Sequence, residues 1–225
     1  MFERIRQLRN KGYVPDIVFD IGAYHGHWTN EMHHIYPDAT FFLYEAIDYK
    51  ELSSRYLSTD KIHVFPNTLL NDDVGDVVWY QNKNTGDSMF REKTIYYKEC
   101  EEIVRRTTTL EKHLSENNHF DILDIECKSK IFIKIDTQGS EIPILKGGME
   151  IAKKADFILL EVPFFGQYNT GVPSFSEHVQ FMESIGFIPY DIVEKHYCND
   201  FTIQLDILLI RKDHSFVDTI NQILK

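Results

Sequence analysis

The sequence predicts an α/β chain: a seven-stranded, mostly parallel sheet with an antiparallel last strand and helices on both faces. Three observations carry this. Short apolar runs rich in β-branched and aromatic residues alternate with helix-period segments along most of the 225 residues. The first run, Ile17-Val18-Phe19-Asp20-Ile21, passes through a glycine turn, Gly22 to Gly26, into a helix. The last two runs are separated only by a hairpin-length connection, His196-Tyr197-Cys198-Asn199-Asp200, so they pair antiparallel.

Strands are expected at about Asp16–Ile21, Thr40–Glu45, Ile62–Pro66, Ile131–Asp136, Phe157–Val162, Phe187–Val193 and Leu205–Lys212. Helices fit Trp28–Tyr36, Tyr49–Ser58, Glu141–Lys146, Ser176–Ile185 and Val217–Leu224. Within 1–15, Phe2, Ile5 and Leu8 fall at helical spacing and read as a short docking helix. Trp28, Met32 and Ile35 share one helix face and read as core. Residues 71–110 break the alternation. There Asp76–Tyr80 and Ile95–Tyr97 read as short added strands over the cleft, with a turn region containing Gly86 between them. Pro163–Pro173, with Gly166 and Gly171, reads as a mobile lid over the cleft, or else as an inert loop. No repeat or linker divides the chain, so residues 1–225 are read as one domain.

A formal net charge of -11 argues against non-specific nucleic-acid binding, which needs a basic footprint. The run Arg105-Arg106 reads as a solvated edge. Cys100, Cys127 and Cys198 have neither zinc spacing nor the even number of a disulfide framework, so a reducing, cytoplasmic setting is expected. No apolar run approaches the ~18–20 residues of a membrane span. The N-terminus lacks the apolar core of a signal peptide.

Asp20-x-Gly22-x-x-x-Gly26 sits where a nucleoside cofactor binds in such folds. Glycine lets backbone approach a ligand, and the free N–H groups of the following helix favour an anionic group. The spacing departs from the dinucleotide fingerprint G-x-G-x-x-G. Asp20 would repel a pyrophosphate but suits an ammonium group, and S-adenosylmethionine carries an ammonium together with a carboxylate. Glu45 ends the second strand close to the ~20-residue offset of a ribose-binding acid. The plain alternatives are that Asp20 and Gly22 only shape a tight turn and that Glu45 faces solvent.

A second constellation is Lys134-Ile135-Asp136-Thr137-Gln138-Gly139-Ser140-Glu141-Ile142-Pro143. Asp136 closes an alternating strand and Gly139 permits a sharp exit. Ser140 fits an N-cap, Glu141 suits the helix dipole, and Pro143 is tolerated in a first turn. Gly147-Gly148 ends the helix. Local rules do not require Asp136 and Glu141 together at the ligand edge, so those two are functional candidates.

Lys134–Gly148, KIDTQGSEIPILKGG, resembles the signature K-[IV]-D-x-[EQ]-G-x-E-x-x-[IV]-L-x-G of the FkbM family of S-adenosylmethionine-dependent methyltransferases. The likeness extends to VFDIGAYHGHW, Asn67–Gly75, Thr109-Leu110-Glu111, Phe157–Glu161 and Asp206–Leu209. Gln138 stands where the family often has glutamate, and Leu69-Leu70-Asn71-Asp72 where it often reads Ala-Leu-Ser-Asp. The resemblance implies the class I methyltransferase Rossmann-like fold and methyl transfer from S-adenosylmethionine to a hydroxyl of a sugar, polysaccharide unit or secondary metabolite. It implies that Asp20, Gly22, Ala23, His25, Gly26 and Glu45 hold the cofactor, with Asn67, Thr68 and Leu69 near the adenine and Asp136 near the methionine end.

A hydroxyl nucleophile needs its proton removed. Asp136, Glu161, His25 and His196 are the candidates, and Asp136 and Glu161 are preferred because both end central strands at one crevice. Trp79, Tyr80, Tyr96, Tyr97, Phe164, Phe165 and Tyr168 read as an aromatic platform or as core. His25, His27, His33 and His34 diverge in direction and Asp72-Asp73 reads as a polar turn, so no metal is expected. The expected partner is a small-molecule or glycan acceptor, with no nucleic acid or membrane; a homo-oligomer is left open. The competing functions are a nicotinamide-dependent oxidoreductase and a non-catalytic S-adenosylmethionine-binding scaffold.

Overall fold

The computed structural model describes residues 1–57, 59–119, 122 and 129–225. Cys127 lies outside them. In chain order the elements are α1 (Phe2–Asn10), β1 (Ile17–Ile21), α2 (His27–Ile35), β2 (Thr40–Tyr44), α3 (Lys50–Arg55), β3 (Ile62–Phe65), β4 (Asp76–Gln81) and β5 (Glu101–Arg106). They continue with α4 (Leu110–Glu116), β6 (Ile131–Ile135), α5 (Glu141–Gly147), α6 (Met149–Lys154), β7 (Phe157–Pro163), α7 (Phe175–Ser184), β8 (Phe187–Cys198), β9 (Phe201–Arg211) and α8 (Ser215–Ile223).

Seven strands form one sheet in the order β3-β2-β1-β6-β7-β9-β8. The first five are parallel, and β9 runs antiparallel to both of its neighbours. Every residue of β1 and β6 is buried, as expected for central strands covered on both faces. Their alternation divides the core. Phe19, Ile21, Ile133 and Ile135 pack with Leu145 and Leu160 on one face. Val18 and Phe132 pack on the other with Ile5, Leu8 and Met32 from α1 and α2. Trp28 is only half-buried, its ring 6.1 Å from that of Phe132. From β1 the chain builds outward to β2 and β3, and from β6 outward to β7, so the crevice above β1 and β6 is the topological switch point where such sheets bind ligands.

Three expectations need correction. The final hairpin is longer than the hydrophobic runs indicate, and only Asn199 and Asp200 form its turn. Both have positive φ (46° and 66°), which suits a two-residue turn of the primed type. Ile95–Tyr97 is a 3-10 turn, not a strand. Tyr97 is buried there with its hydroxyl on Asp87, while Ile95 and Tyr96 are exposed. The partner of β4 is instead β5, Glu101–Arg106, whose charges hid it: its outer positions face water and pair across the ribbon, as Arg106 does with Asp76. The helix expected over 49–58 spans only Lys50–Arg55, and Ser58 lies outside the described residues. Helices α4 and α6 were not foreseen. Among the described residues no helix is long and apolar enough to cross a membrane.

His63 on β3 stacks on Phe42 (4.9 Å) beside His119 (5.1 Å). Burial, with the neighbouring His119, lowers its pKa below the ordinary 6.5. The unfolded chain therefore binds the proton more readily, and this stability contribution is present above pH 6.5 and lost as pH falls below it. His63→Phe is expected to flatten that part of the profile. Thermal melts from pH 7 to 5 should show wild type losing stability relative to the variant.

Candidate active site

A cavity of about 1130 Å³ opens above the carboxyl ends of β1, β2, β6 and β7. That slightly exceeds the ~300–1,000 Å³ of an ordinary small-molecule site. Ile21, Gly22, Glu45, Ala46, Thr68 and Leu69 line one end. Asp136, Gln138, Glu161, Tyr168 and Gln204 line the other. Trp79, Asn84 and Asp87 from the insertion and Phe165 from the 163–173 loop complete the wall.

The glycine turn has a steric cause. Gly22 takes φ +78°, and a Cβ there would lie 1.9 Å from the Asp136 carbonyl oxygen. Only glycine lets the exits of β1 and β6 pass so closely. Gly26 also takes φ +78°, but its Cβ would strike the Tyr56 ring at 2.8 Å, so this glycine serves the packing of α2 on α3. It does not line the cavity.

Asp20 corrects a sequence expectation. It is fully buried, accepts from the Thr29 hydroxyl at 2.6 Å and pairs with Lys134 Nζ at 3.1 Å. Its carboxylate faces the protein interior and cannot meet a cofactor ammonium. Lys134 also reaches Asp136 at 3.4 Å and donates to the Gly22 carbonyl at 2.9 Å. Burial works to strip the Lys134 proton, but the facing Asp20 and Asp136 carboxylates outweigh it and raise the pKa.

Glu45 is buried at the end of β2 and lines the cavity. Its carboxylate accepts from the backbone N–H of Tyr24 (2.7 Å) and of Ile47 (2.9 Å). Burial raises its pKa, and those two hydrogen bonds oppose the rise. Each oxygen retains a further lone pair for a ligand hydroxyl.

The remaining expected cofactor residues divide. Thr68 and Leu69 line the cavity, whereas Ala23, His25 and Asn67 do not. Ala23 is buried under the turn with its N–H on the Tyr44 carbonyl. His25 packs between the rings of Tyr24 (3.9 Å) and Tyr49 (4.7 Å) and faces Glu51. Asn67 points outward to accept from Arg105 at 2.8 Å.

At the far end, Asp136 is 40% exposed at its side chain and Glu161 only 11%. Glu161 Oε2 accepts from Gln138 Nε2 at 2.7 Å and from Gln204 Nε2 at 3.0 Å. Burial, followed by the nearby Asp136, Asp206 and Glu141 carboxylates, lifts its pKa well above the ordinary range. Glu141 does not reach the cavity. It is 1% exposed, and its carboxylate accepts from Thr137 N, Thr137 Oγ1 and Gly139 N at 3.0 to 3.2 Å. Ser140 occupies the N-cap position without a side-chain hydrogen bond, so Glu141 shapes the loop in its place. The 163–173 loop is fastened: Lys93 N donates to the Tyr168 carbonyl (2.7 Å), and Asn169 Nδ2 to the Phe90 carbonyl (2.9 Å). Sequence reading gave no role to Lys134 or Gln204. The registered pair Asp20 and Lys134 on neighbouring strands signals the first; nothing local signals the second.

Compared with known proteins, a methyltransferase FkbM domain model matches residues 20–189. No curated protein matches the chain. Among solved structures, the methyltransferase FkbM of Methylobacillus flagellatus aligns with TM-score 0.51 at 14% identity, covering 86% of this chain and 43% of that one. The chain thus spans less than half the length of that relative. The 1,6-didemethyltoxoflavin-N1-methyltransferase of Burkholderia thailandensis aligns with TM-score 0.51 at 10% identity, covering 94% of this chain and 77% of that one.

Breaking the buried pair has a measurable cost, because removing one partner leaves an uncompensated charge. Lys134→Met is expected to lower stability by roughly 3–5 kcal/mol, read by denaturant unfolding. Adding Asp20→Asn to that variant should recover part of the loss.

Proposed function

The chain belongs to the FkbM methyltransferase family, a class I methyltransferase fold with S-adenosylmethionine as cofactor, and we propose that this protein methylates a hydroxyl oxygen of a sugar, polysaccharide unit or secondary metabolite. One observation carries the reading: a single cavity has a buried, hydrogen-bonded acid at one end and a pair of carboxylates at the other. The residues fit the cofactor. Glu45 is positioned to accept from the ribose hydroxyls, Ile21, Ala46 and Leu69 offer apolar wall, and the Gly22 turn leaves room that a side chain would fill.

When bound, S-adenosylmethionine supplies an electrophilic methyl group on a positively charged sulfur that leaves as a neutral thioether. The protein's part is alignment and proton removal. Asp136 is the more exposed of the two far-end carboxylates and takes the acceptor proton, while Glu161, held by two amide donors, orients the hydroxyl. Aromatic and amide side chains around that end, among them Tyr168, Phe165, Asn84 and Gln204, suit a polyhydroxylated acceptor. The antiparallel β9 and the family both count against the nicotinamide alternative.

Calorimetric titration tests the cofactor site. S-adenosylmethionine and S-adenosylhomocysteine are expected to bind and NADH not to. Glu45→Ala should weaken both by roughly 10–100-fold, the loss of one or two hydrogen bonds to a charged group. NADH binding alone would overturn the reading.

Asp136→Asn should leave cofactor affinity within a few-fold of wild type. Transfer of a labelled methyl group to hydroxylated acceptors should fall by about 10²–10⁴-fold. Unchanged transfer would remove Asp136 as base. Cofactor binding with no transfer by wild type to any acceptor in a broad glycan and polyol panel would favour the scaffold alternative.

A further inference from the structure

Along the β7–β9–β8 edge, Glu161 stands directly opposite Asp206 in the ladder. Like charges facing one another across strands repel, and here both side chains are largely buried, 11% and 9% exposed. His196 reaches in from β8, its Nε2 3.1 Å from Asp206 Oδ2 and 4.0 Å from Glu161 Oε1. One donor atom from each residue lies within 4.8 Å of the other two. Asp136 and Glu141 add negative charge beside Glu161, and Lys134 is already engaged by Asp20 and Asp136.

The arrangement is oriented as well as charged. Gln138 and Gln204 both donate to Glu161 Oε2, which fixes the carboxylate and leaves Oε1 toward His196. Outer hydrogen bonds of this kind orient ligands in metal sites. All three residues sit on sheet strands, which hold a constellation more precisely than loops.

We propose that Glu161 Oε1, His196 Nε2 and Asp206 Oδ2 form a binding site for a divalent transition-metal ion of the zinc or manganese type. Donors sharing one ion at ~2.0–2.2 Å stand ~3.0–4.2 Å apart, so small side-chain rotations close the set. The imidazole suits zinc better than calcium or magnesium, and the two carboxylates also suit manganese. Glu161 also lines the main cavity, so an ion held here would border it. The proposal departs from the sequence expectation of no metal. It rests on the strand geometry and stands independently of methyl transfer.

The test uses the full chain, stripped with chelator and dialysed. Zn²⁺ is titrated by calorimetry, and Mn²⁺ binding is followed by electron paramagnetic resonance. One equivalent is expected to bind at micromolar concentration or tighter. His196→Gln and Asp206→Asn should each weaken it at least tenfold with melting temperature monitored, while His25→Ala and Asp72→Asn, away from the cluster, should not. If His196→Gln fails to fold, Asp206→Asn and anomalous diffraction from Zn²⁺-soaked wild-type crystals carry the test. No saturable binding, or binding indifferent to residues 196 and 206, would overturn the proposal and leave an ordinary histidine–aspartate ion pair. Cofactor titration in metal-free buffer tests the methyltransferase site separately.

Discussion

The site rests on one buried ion pair. Asp20 and Lys134 face each other across β1 and β6, at register positions where their neighbours Val18 and Phe132 are apolar. Two charges in that interior are expensive, and an apolar pair of similar volume would often be as stable or more so. Stability alone therefore does not account for them. Their contacts do. Thr29 binds Asp20 from the first turn of α2, and Lys134 holds both the Gly22 carbonyl and the Asp136 carboxylate. One cluster thus sets the Gly22 turn, the start of the following helix and the Asp136 carboxylate at the other end of the cavity. The pair acts on the chemistry through the groups it positions.

The electrostatics of the cavity follow from the same economy of positive charge. Among the described residues no lysine, arginine or histidine lines it, while Glu45, Asp87, Glu92, Asp136 and Glu161 do. Carboxylates in a partly desolvated cleft attract cations more strongly than they would in water. S-adenosylmethionine carries a sulfonium and an ammonium, and transfer of the methyl group removes the sulfonium charge. The same carboxylates oppose a nicotinamide pyrophosphate.

The strands of the parallel sheet were legible because a strand buried on both faces is a continuous apolar run, and Ile17–Ile21 and Ile131–Ile135 are such runs. The insertion was legible only in part. A two-stranded ribbon wet on much of its surface carries charges at strand positions, so Glu101–Arg106 did not read as a strand while Ile95–Tyr97 did. Among the candidate site residues, the positions of Gly22 and Glu45 at the cavity were legible because local backbone rules place them. Asp20 was misread: spacing locates a carboxylate but not the direction in which it points, and the partner that turns it inward lies more than a hundred residues away. Gln204 and Asp206 were invisible as site residues because strand pairing alone brings them beside Glu161.

The loop after β6 joins the insertion and the 163–173 loop to the Asp136 and Glu161 end of the cavity. Gln138 has φ +56°, an unfavourable region for a side chain, and persists there because its surroundings over-determine it. Its carbonyl accepts from Ser88 of the insertion (2.9 Å), its side-chain oxygen from Tyr168 (2.8 Å), and its amide donates to Glu161 (2.7 Å). Glu141, buried beneath, holds the loop backbone on either side. The insertion and the 163–173 loop therefore both bond to Gln138, beside the Glu161 carboxylate. A glutamate at this position would place a carboxylate against Glu161 where the amide now donates. The glutamine therefore sets both the geometry and the charge beside Glu161.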